Sequence, residues 1–440
     1  MFTKNDLKKL IIPLIIEQFL AISLGMIDTV MVSSVGEAAI SGVSLVDMIN
    51  VLVIDIFAGL ATGGAVVATH YLGARDSKGA SKTAANLVFI SLTAGCTAAV
   101  TVFFCGEGIL MLLYGKSEAD VLKNALVYLK ITSLSFPFIS VYNSCAALFR
   151  SMGDSRVSMM SSLFINILNL AGNSLFIFVF NLGVSGAAWS TVISRFAAMI
   201  YLLIRLSAGK GDIKLSFKTK PDIRMTARIL RIAAPSGIEN SMFQLGRVIV
   251  VTLIATFGTA QIAANALANN LDAIGCIPGK GLQLAMVTVV GQCIGAGFND
   301  EAVSYTKRLM KSAHIMMAVI NTAVILTMPL SLKLYNVSYE AKALGALLVL
   351  IHAGCAIFLW PESFVLPNAL RSGGDVKFTL IVSIFSMWMF RIVFSYILAR
   401  GAMLGALGVW CAMIMDWVFR TVMFITRFKS RKWIRGTLAE

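Results

Sequence analysis

Twelve apolar runs, each long enough to cross a bilayer, decide what this 440-residue chain can fold into. They fall at about 10–34, 43–70, 80–105, 121–149, 157–180 and 186–206. Six more follow at about 232–256, 262–292, 309–331, 342–370, 378–399 and 405–427. A hydrocarbon core roughly 30 Å thick calls for about 20 apolar residues in helix. The runs far exceed the roughly ten-residue alternating segments of a membrane barrel, which argues against strands. Only 13% of the residues are charged, whereas a soluble domain, wet over its whole surface, carries about one quarter. The expected fold class is an all-α integral membrane protein with 12 transmembrane helices in two pseudo-symmetric six-helix bundles.

Charge sets the expected orientation. With the N-terminus inside, the inner segments hold 26 of the 37 Lys and Arg, including Lys4, Lys8, Lys9, Arg75, Arg150, Arg371 and the run from Arg427 to Arg435. The outer segments hold five: Lys116, Lys123, Lys333, Lys342 and Arg400. By the positive-inside rule both termini are cytoplasmic, in a multi-pass protein of the cell inner (plasma) membrane. The start, MFTKNDLKKL, leads into a run too long for a signal-peptide core and reads as an uncleaved first span. Basic residues outnumber acidic ones, but no Lys/Arg stripe is interleaved with aromatics, so nucleic acid is not an expected partner.

The segment 207–231 is the longest polar stretch and reads as a cytoplasmic linker. It separates an N-terminal bundle, 1–206, from a C-terminal bundle, 232–427, with 428–440 as a cytoplasmic tail. The halves repeat. Pro13 and Pro235 stand 222 positions apart, as do Glu17/Glu239, Gly36/Gly258, Gly59/Gly281, Gly73/Gly295, Gly183/Gly405 and Gly186/Gly408. Between them ALFRSMGD (147–154) matches ALRSGGD (369–375) with one residue deleted. An even number of spans per half inserts both halves the same way, as in parallel-repeat transporters.

Ionisable groups inside spans are expensive and usually functional. Asp28 lies about 15 residues beyond Pro13, roughly 22 Å at 1.5 Å per residue, past the midplane of span 1. In span 5, Asn166, Asn169 and Asn173 share one helix face. Interhelical glue and a binding site account for them equally well. Glu17 and Glu239, four residues after each repeat's proline, either line a cavity mouth or satisfy neighbouring helix ends. Arg195, Arg247, Lys280, Arg391, Asp55, Asp272 and Glu362 need partners that sequence does not identify. The seven cysteines form no CxxC pair and read as buried small hydrophobes. The three histidines are lone and read as structural rather than metal-ligating.

These features resemble the multidrug and toxic compound extrusion (MATE) transporters over essentially the whole chain. The resemblance is carried by IPLIIEQFL with GMIDTVMVSSVG, by ATGGAVVATHYLGARD, by ALFRSMGDSR, by NILNLAGNSLFIF with GVSGAAWSTVISR, and by GALGVWCAMIMDW. The DinF-like branch is the nearest. The resemblance implies a cation/organic compound antiporter that works by alternating access, exporting small organic, cationic or amphipathic compounds as a monomer. It also implies a cation-coupling site in the N-terminal half at Asp28, Asn143, Asn169, Asn173 and Thr191. Asn173 stands where the branch usually has a second acid, which favours H⁺ over Na⁺. The other bacterial branch has a key glutamate eight residues after the span-7 proline, and Phe243 occupies that position here.

The alternative is a lipid-linked precursor flippase of the wider MOP superfamily, which extra spans or a strongly cationic cavity would favour. No HExxH, GxSxG or P-loop occurs, so neither an enzyme nor an ATP-driven pump is expected, and no cofactor beyond the coupling ion. The counterpart of Asp28 in the second repeat is Val250, which confines the acid to the first.

Overall fold

The computed structural model describes residues 1–115, 117–209, 211–216, 221–335 and 337–437. Lys116 and the linker residues Lys210, Lys218 and Lys220 lie outside them. The described chain is helical and contains no strand. Ten helices are long and apolar enough to cross a membrane, and two bent helix pairs bring the spans to twelve. With no water in hydrocarbon to satisfy backbone groups, helices that close their own hydrogen bonds are the workable element.

The first six spans run Lys4–Ser33, Glu37–Gly73, Ser77–Tyr114, Ala119–Ser133 with Phe136–Ser151, Ser155–Val179 and Gly183–Ser207. The second six run Ile223–Ala255, Thr259–Gly275 with Ile277–Gly295, Asn299–Lys333, Tyr339–Ser372, Val376–Gly401 and Gly405–Lys429. Span 4 bends by 51° and span 8 by 46°. Each bend comes just before an in-span proline, Pro137 or Pro278, which removes a donor and crowds the preceding turn. Pro361 behaves differently. It opens a π-helical stretch, Pro361–Val365, in a span that stays continuous.

The repeat is written into the backbone. Positive φ recurs at Gly36 and Gly258, at Arg75 and Gly297, at Asn181 and Met403, and at Gly183 and Gly405, always 222 apart. Gly36 (φ 138°) and Gly258 (φ 98°) each open the second helix of their repeat, in a conformation that costs a Cβ-bearing residue strain. Late in spans 5 and 11 the amides of Phe180 and Leu182 donate to Leu175 O and Phe176 O. Those of Ala402 and Leu404 donate to Ile397 O and Leu398 O. The offset there is again 222, although it is 221 at the paired turns of Gly153 and Gly374. The missing residue is regained inside span 11, where Met387–Val393 is π-helical. A π-bulge is a one-residue insertion in a helix, and such bulges gather at functional sites.

By its contacts the chain forms two units, Lys4–Gly237 and Ile238 onward, the latter together with Met1–Thr3. The boundary falls within span 7 rather than in the linker, because the described linker packs on the first unit. Ile213 and Leu215 are buried, the Lys214 amide donates to Ser81 Oγ at 3.0 Å, and Asp222 pairs with Lys82. Backbone contact extends this. A Cβ on Gly59 would lie 2.5 Å from Gly237 N, and one on Gly63 2.6 Å from Ala233. Small residues four apart on both helices permit that approach.

Candidate cation site in the first unit

Span 5 is α-helical from Ser155 to Asn173 and widens into a π segment at Ser174–Val179. Its last α turn places Asn169 and Asn173 together. Asn173 Nδ2 donates to Asp28 Oδ1 at 2.6 Å and to Asn169 Oδ1 at 3.1 Å. Asn169 Nδ2 in turn donates to Thr191 Oγ1 at 3.4 Å, and Thr191 Oγ1 to Ala187 O at 3.1 Å. Spans 1, 5 and 6 are thereby linked by one chain of polar groups. Asn169 and Asn173 are buried, and Ser190 Oγ donates to Asn169 O at 2.8 Å, fixing the helix that carries them. Asn166 parts from its two neighbours: its Nδ2 donates to Leu20 O at 2.9 Å, which ties span 5 to span 1. Asn143, half-buried on span 4, stands outside this chain of hydrogen bonds.

Two amide oxygens on this face of span 5 are left unsatisfied, those of Asn166 and Asn173, and the second adjoins Asp28. Asn173 Oδ1 is buried with no hydrogen-bond partner, a state that costs ~1–3 kcal/mol. An orphan acceptor beside a carboxylate is what a bound cation would satisfy.

Three further residues complete the electrostatics. Arg195 of span 6 interacts with Asp28, with Asp47 of span 2 and with Tyr128 of span 4. Arg195 Nη1 also donates to Ser135 Oγ at 2.8 Å, inside the break of span 4. Tyr128 pairs with Thr191. Asp47 is accessible yet enclosed by protein on most sides, as expected of a group lining a wet recess. Two carboxylates facing one guanidinium leave a single negative charge, which one H⁺ or Na⁺ offsets. Asp47 and Tyr128 are additions to the sequence reading; an aspartate within an apolar run was the signal for the first.

The paired glutamates are bound by paired arginines. Arg150 Nη1 donates to Glu17 Oε1 at 2.8 Å, and Ser158 Oγ to Glu17 Oε2 at 2.7 Å. In the second unit Arg371 Nη2 lies 2.6 Å from Glu239 Oε1. Arg150 and Arg371 belong to the matched ALFR and ALR motifs. Each repeat therefore ties the middle of its first span to the end of its fourth through a glutamate–arginine pair.

The MatE family model matches the chain twice, at residues 13–175 and 235–397. The two matches are 222 positions apart at both ends and together cover well over half the sequence. The chain belongs to the MatE family. Members of this family are transporters, so the chain is a transporter and not an enzyme. The uncharacterized transporter YisQ of Bacillus subtilis is 27% identical over 97% of this chain and 94% of that protein. The probable multidrug resistance protein NorM of Thermotoga maritima is 24% identical, over 98% and 93%. A solved structure described as the outward-facing conformation of a multidrug resistance MATE family transporter of the MOP superfamily aligns with a TM-score of 0.90. It does so at 21% identity over 97% of this chain and 96% of that one.

In this MatE chain the second unit builds something else at the equivalent place. Span 11 carries Arg391 inside its π-bulge, at the turn matching Asn169. Asp416 of span 12, fully buried, receives Arg420 Nε at 2.8 Å and lies 3.6 Å from Arg391 Nη1; Ser386 Oγ also donates to it. Both guanidinium groups sit over the Phe243 ring, at 5.0 Å for Arg391 and 5.9 Å for Arg420. Other ionisable residues of this unit pair as well: His352 with Asp272 at 3.0 Å, and His314 with Glu362 at 2.7 Å. Asp416 and Arg420, one turn apart on span 12, were missed by the sequence reading although their i, i+4 spacing announced them.

Proposed function

We propose that this transporter is a secondary active exporter in which entry of H⁺ or Na⁺ at Asp28 drives export of small organic, cationic or amphipathic compounds by alternating access. The observation that carries the reading is the Asp28–Asn173 contact with the orphan Asn173 Oδ1 beside it. Asp28, Asn169, Asn173 and Thr191 form the coupling site, with Asn143 on span 4 as a neighbouring ligand. The net single negative charge suits one monovalent cation. A cation on Asp28 weakens its attraction for Arg195, leaving that guanidinium to Asp47 and to Ser135 in the break of span 4. Ion occupancy is thus linked to a helix already bent by 51°, a two-state element that the ion biases. Na⁺ needs a shell of several oxygen ligands whereas H⁺ needs only the Asp28 carboxylate, so proton coupling is preferred.

Similarity to probable multidrug resistance proteins of Thermotoga maritima and Bacillus subtilis supports a multidrug substrate range. The charge asymmetry supports insertion in the plasma membrane with both termini cytoplasmic. The complete repeat supports a monomeric unit. The test is efflux of ethidium from proteoliposomes under separately imposed proton and sodium gradients. One gradient should drive efflux and an uncoupler or ionophore should stop it; efflux indifferent to both would refute the reading.

A further inference from the structure

The second unit has the opposite charge balance from the first. Around the Phe243 ring stand Arg391 and Arg420, and Arg247 of span 7 is close enough to Arg391 to repel it. Against these three guanidinium groups stand Asp416 and, acting on Arg391 at longer range, Asp272. The sum is one positive charge in excess, and Lys280 of span 8 adds to it near Cys276. Asp416 Oδ1 accepts from Arg420 and Ser386, and Oδ2 lies 3.6 Å from Arg391 Nη1 without a hydrogen bond; Arg247 has no ion pair or hydrogen bond among the described residues. Its side chain is exposed. An arginine held within an apolar span next to a second arginine is costly in lipid and is placed where water or a ligand reaches it.

Two buried donors point the same way. Arg391 Nε and Trp417 Nε1 have no hydrogen-bond partner, although the Arg391 side chain is nine-tenths buried and Trp417 is 2% exposed. Buried unpaired donors beside surplus positive charge define a place for an acceptor that carries negative charge. The surroundings are aromatic: Phe243 packs edge-on against Phe364 at 5.9 Å, and Phe364 against Trp417 at 6.1 Å. We propose that this cluster of the second unit, Arg247, Arg391, Trp417 and Phe243, binds the carboxylate or sulfonate group of a small amphipathic compound whose apolar body rests on the aromatic rings. It rests on the exporter reading only in making that compound a substrate.

The experiment uses the purified transporter in phosphatidylcholine nanodiscs. Two probes share one fluorophore: a dansyl carboxylate (dansylglycine) and a dansyl trimethylammonium ester, each followed by energy transfer from tryptophan. The carboxylate should bind about tenfold more tightly than the ammonium, about 1.4 kcal/mol. Arg247→Gln should remove that preference by weakening the carboxylate alone, and Arg247→Lys should restore most of it. Equal binding of both probes, or an Arg247→Gln variant with unchanged carboxylate affinity, would overturn the proposal. So would displacement of the probe by phosphatidylglycerol, which would make the ligand a lipid headgroup. Asp28→Asn should leave carboxylate binding intact. Wild-type protein that binds the carboxylate yet responds to no ion gradient would sink the exporter reading and leave this site standing.

Discussion

The first repeat carries Asp28, Asn173 and Thr191 where the second carries Val250, Ser395 and Met413, and Arg195 where the second carries Trp417. The turn of Asn169 is matched by that of Arg391, in a π-bulge that the first repeat lacks. One unit thus holds a carboxylate beside an orphan acceptor, the place proposed for an exchangeable cation. The other fills the corresponding place with a guanidinium that never leaves, locked on a fully buried aspartate. Gene duplication supplied the helices twice, whereas the chemistry diverged at a handful of inward-facing positions. A guanidinium at that place in the second unit cannot be exchanged for another cation, which is why the proposal assigns coupling to the first.

That contrast breaks most visibly in stability. Asp416→Asn leaves Arg391 and Arg420 facing each other without their shared carboxylate, and breaking a buried pair costs ~3–5 kcal/mol. Asp28→Asn keeps a polar group of the same shape on Asn173. Detergent-solubilised Asp416→Asn should lose most of its thermal stability while Asp28→Asn melts near wild type; equal melting would erase the distinction between structural and exchangeable charge. The two clamps offer a control in which the repeats should agree. Glu17→Gln and Glu239→Gln each weaken the arginine contact between the first and fourth spans of a repeat, at ~1–3 kcal/mol. Unequal losses in thermal melts would show that the clamps are not equivalent.

The smallest effect lies outside the spans. Lys82 and the Arg224 amide hold the Asp222 carboxyl below its ordinary value of 3.8. A depressed acid contributes above its unfolded pKa and loses that contribution as pH falls through the folded value. The docking of residues 221–223 on span 3 should therefore persist at pH 5 and loosen only below about 4. Hydrogen exchange at the Arg224 amide reads this directly, and loosening already at pH 6 would contradict it.

Much of the architecture was open to inspection before any coordinates. Long apolar runs marked the spans, and an offset of 222 marked the repeat. Pro137 and Pro278 stand at the two bends, because proline cannot continue the hydrogen-bond ladder. Pro361 did not bend its span, since a π segment absorbed it. The bulge at Met387–Val393 was also written in the sequence: one residue lost in ALRSGGD must be regained before Gly405. Asp28, Asn169, Asn173 and Thr191 were recognisable as a set through family resemblance, and the structure joins them by hydrogen bonds. Asp47, Tyr128 and Arg195 were harder. They lie on three different spans, and only tertiary packing decides which buried charges face one another.

Gradient-driven counterflow with Asp28→Asn in proteoliposomes tests the central claim most directly. If coupling resides in the first unit alone, this variant should no longer respond to an imposed proton or sodium gradient while still exchanging substrate across the membrane at equilibrium. Full gradient-driven counterflow by Asp28→Asn would contradict the account.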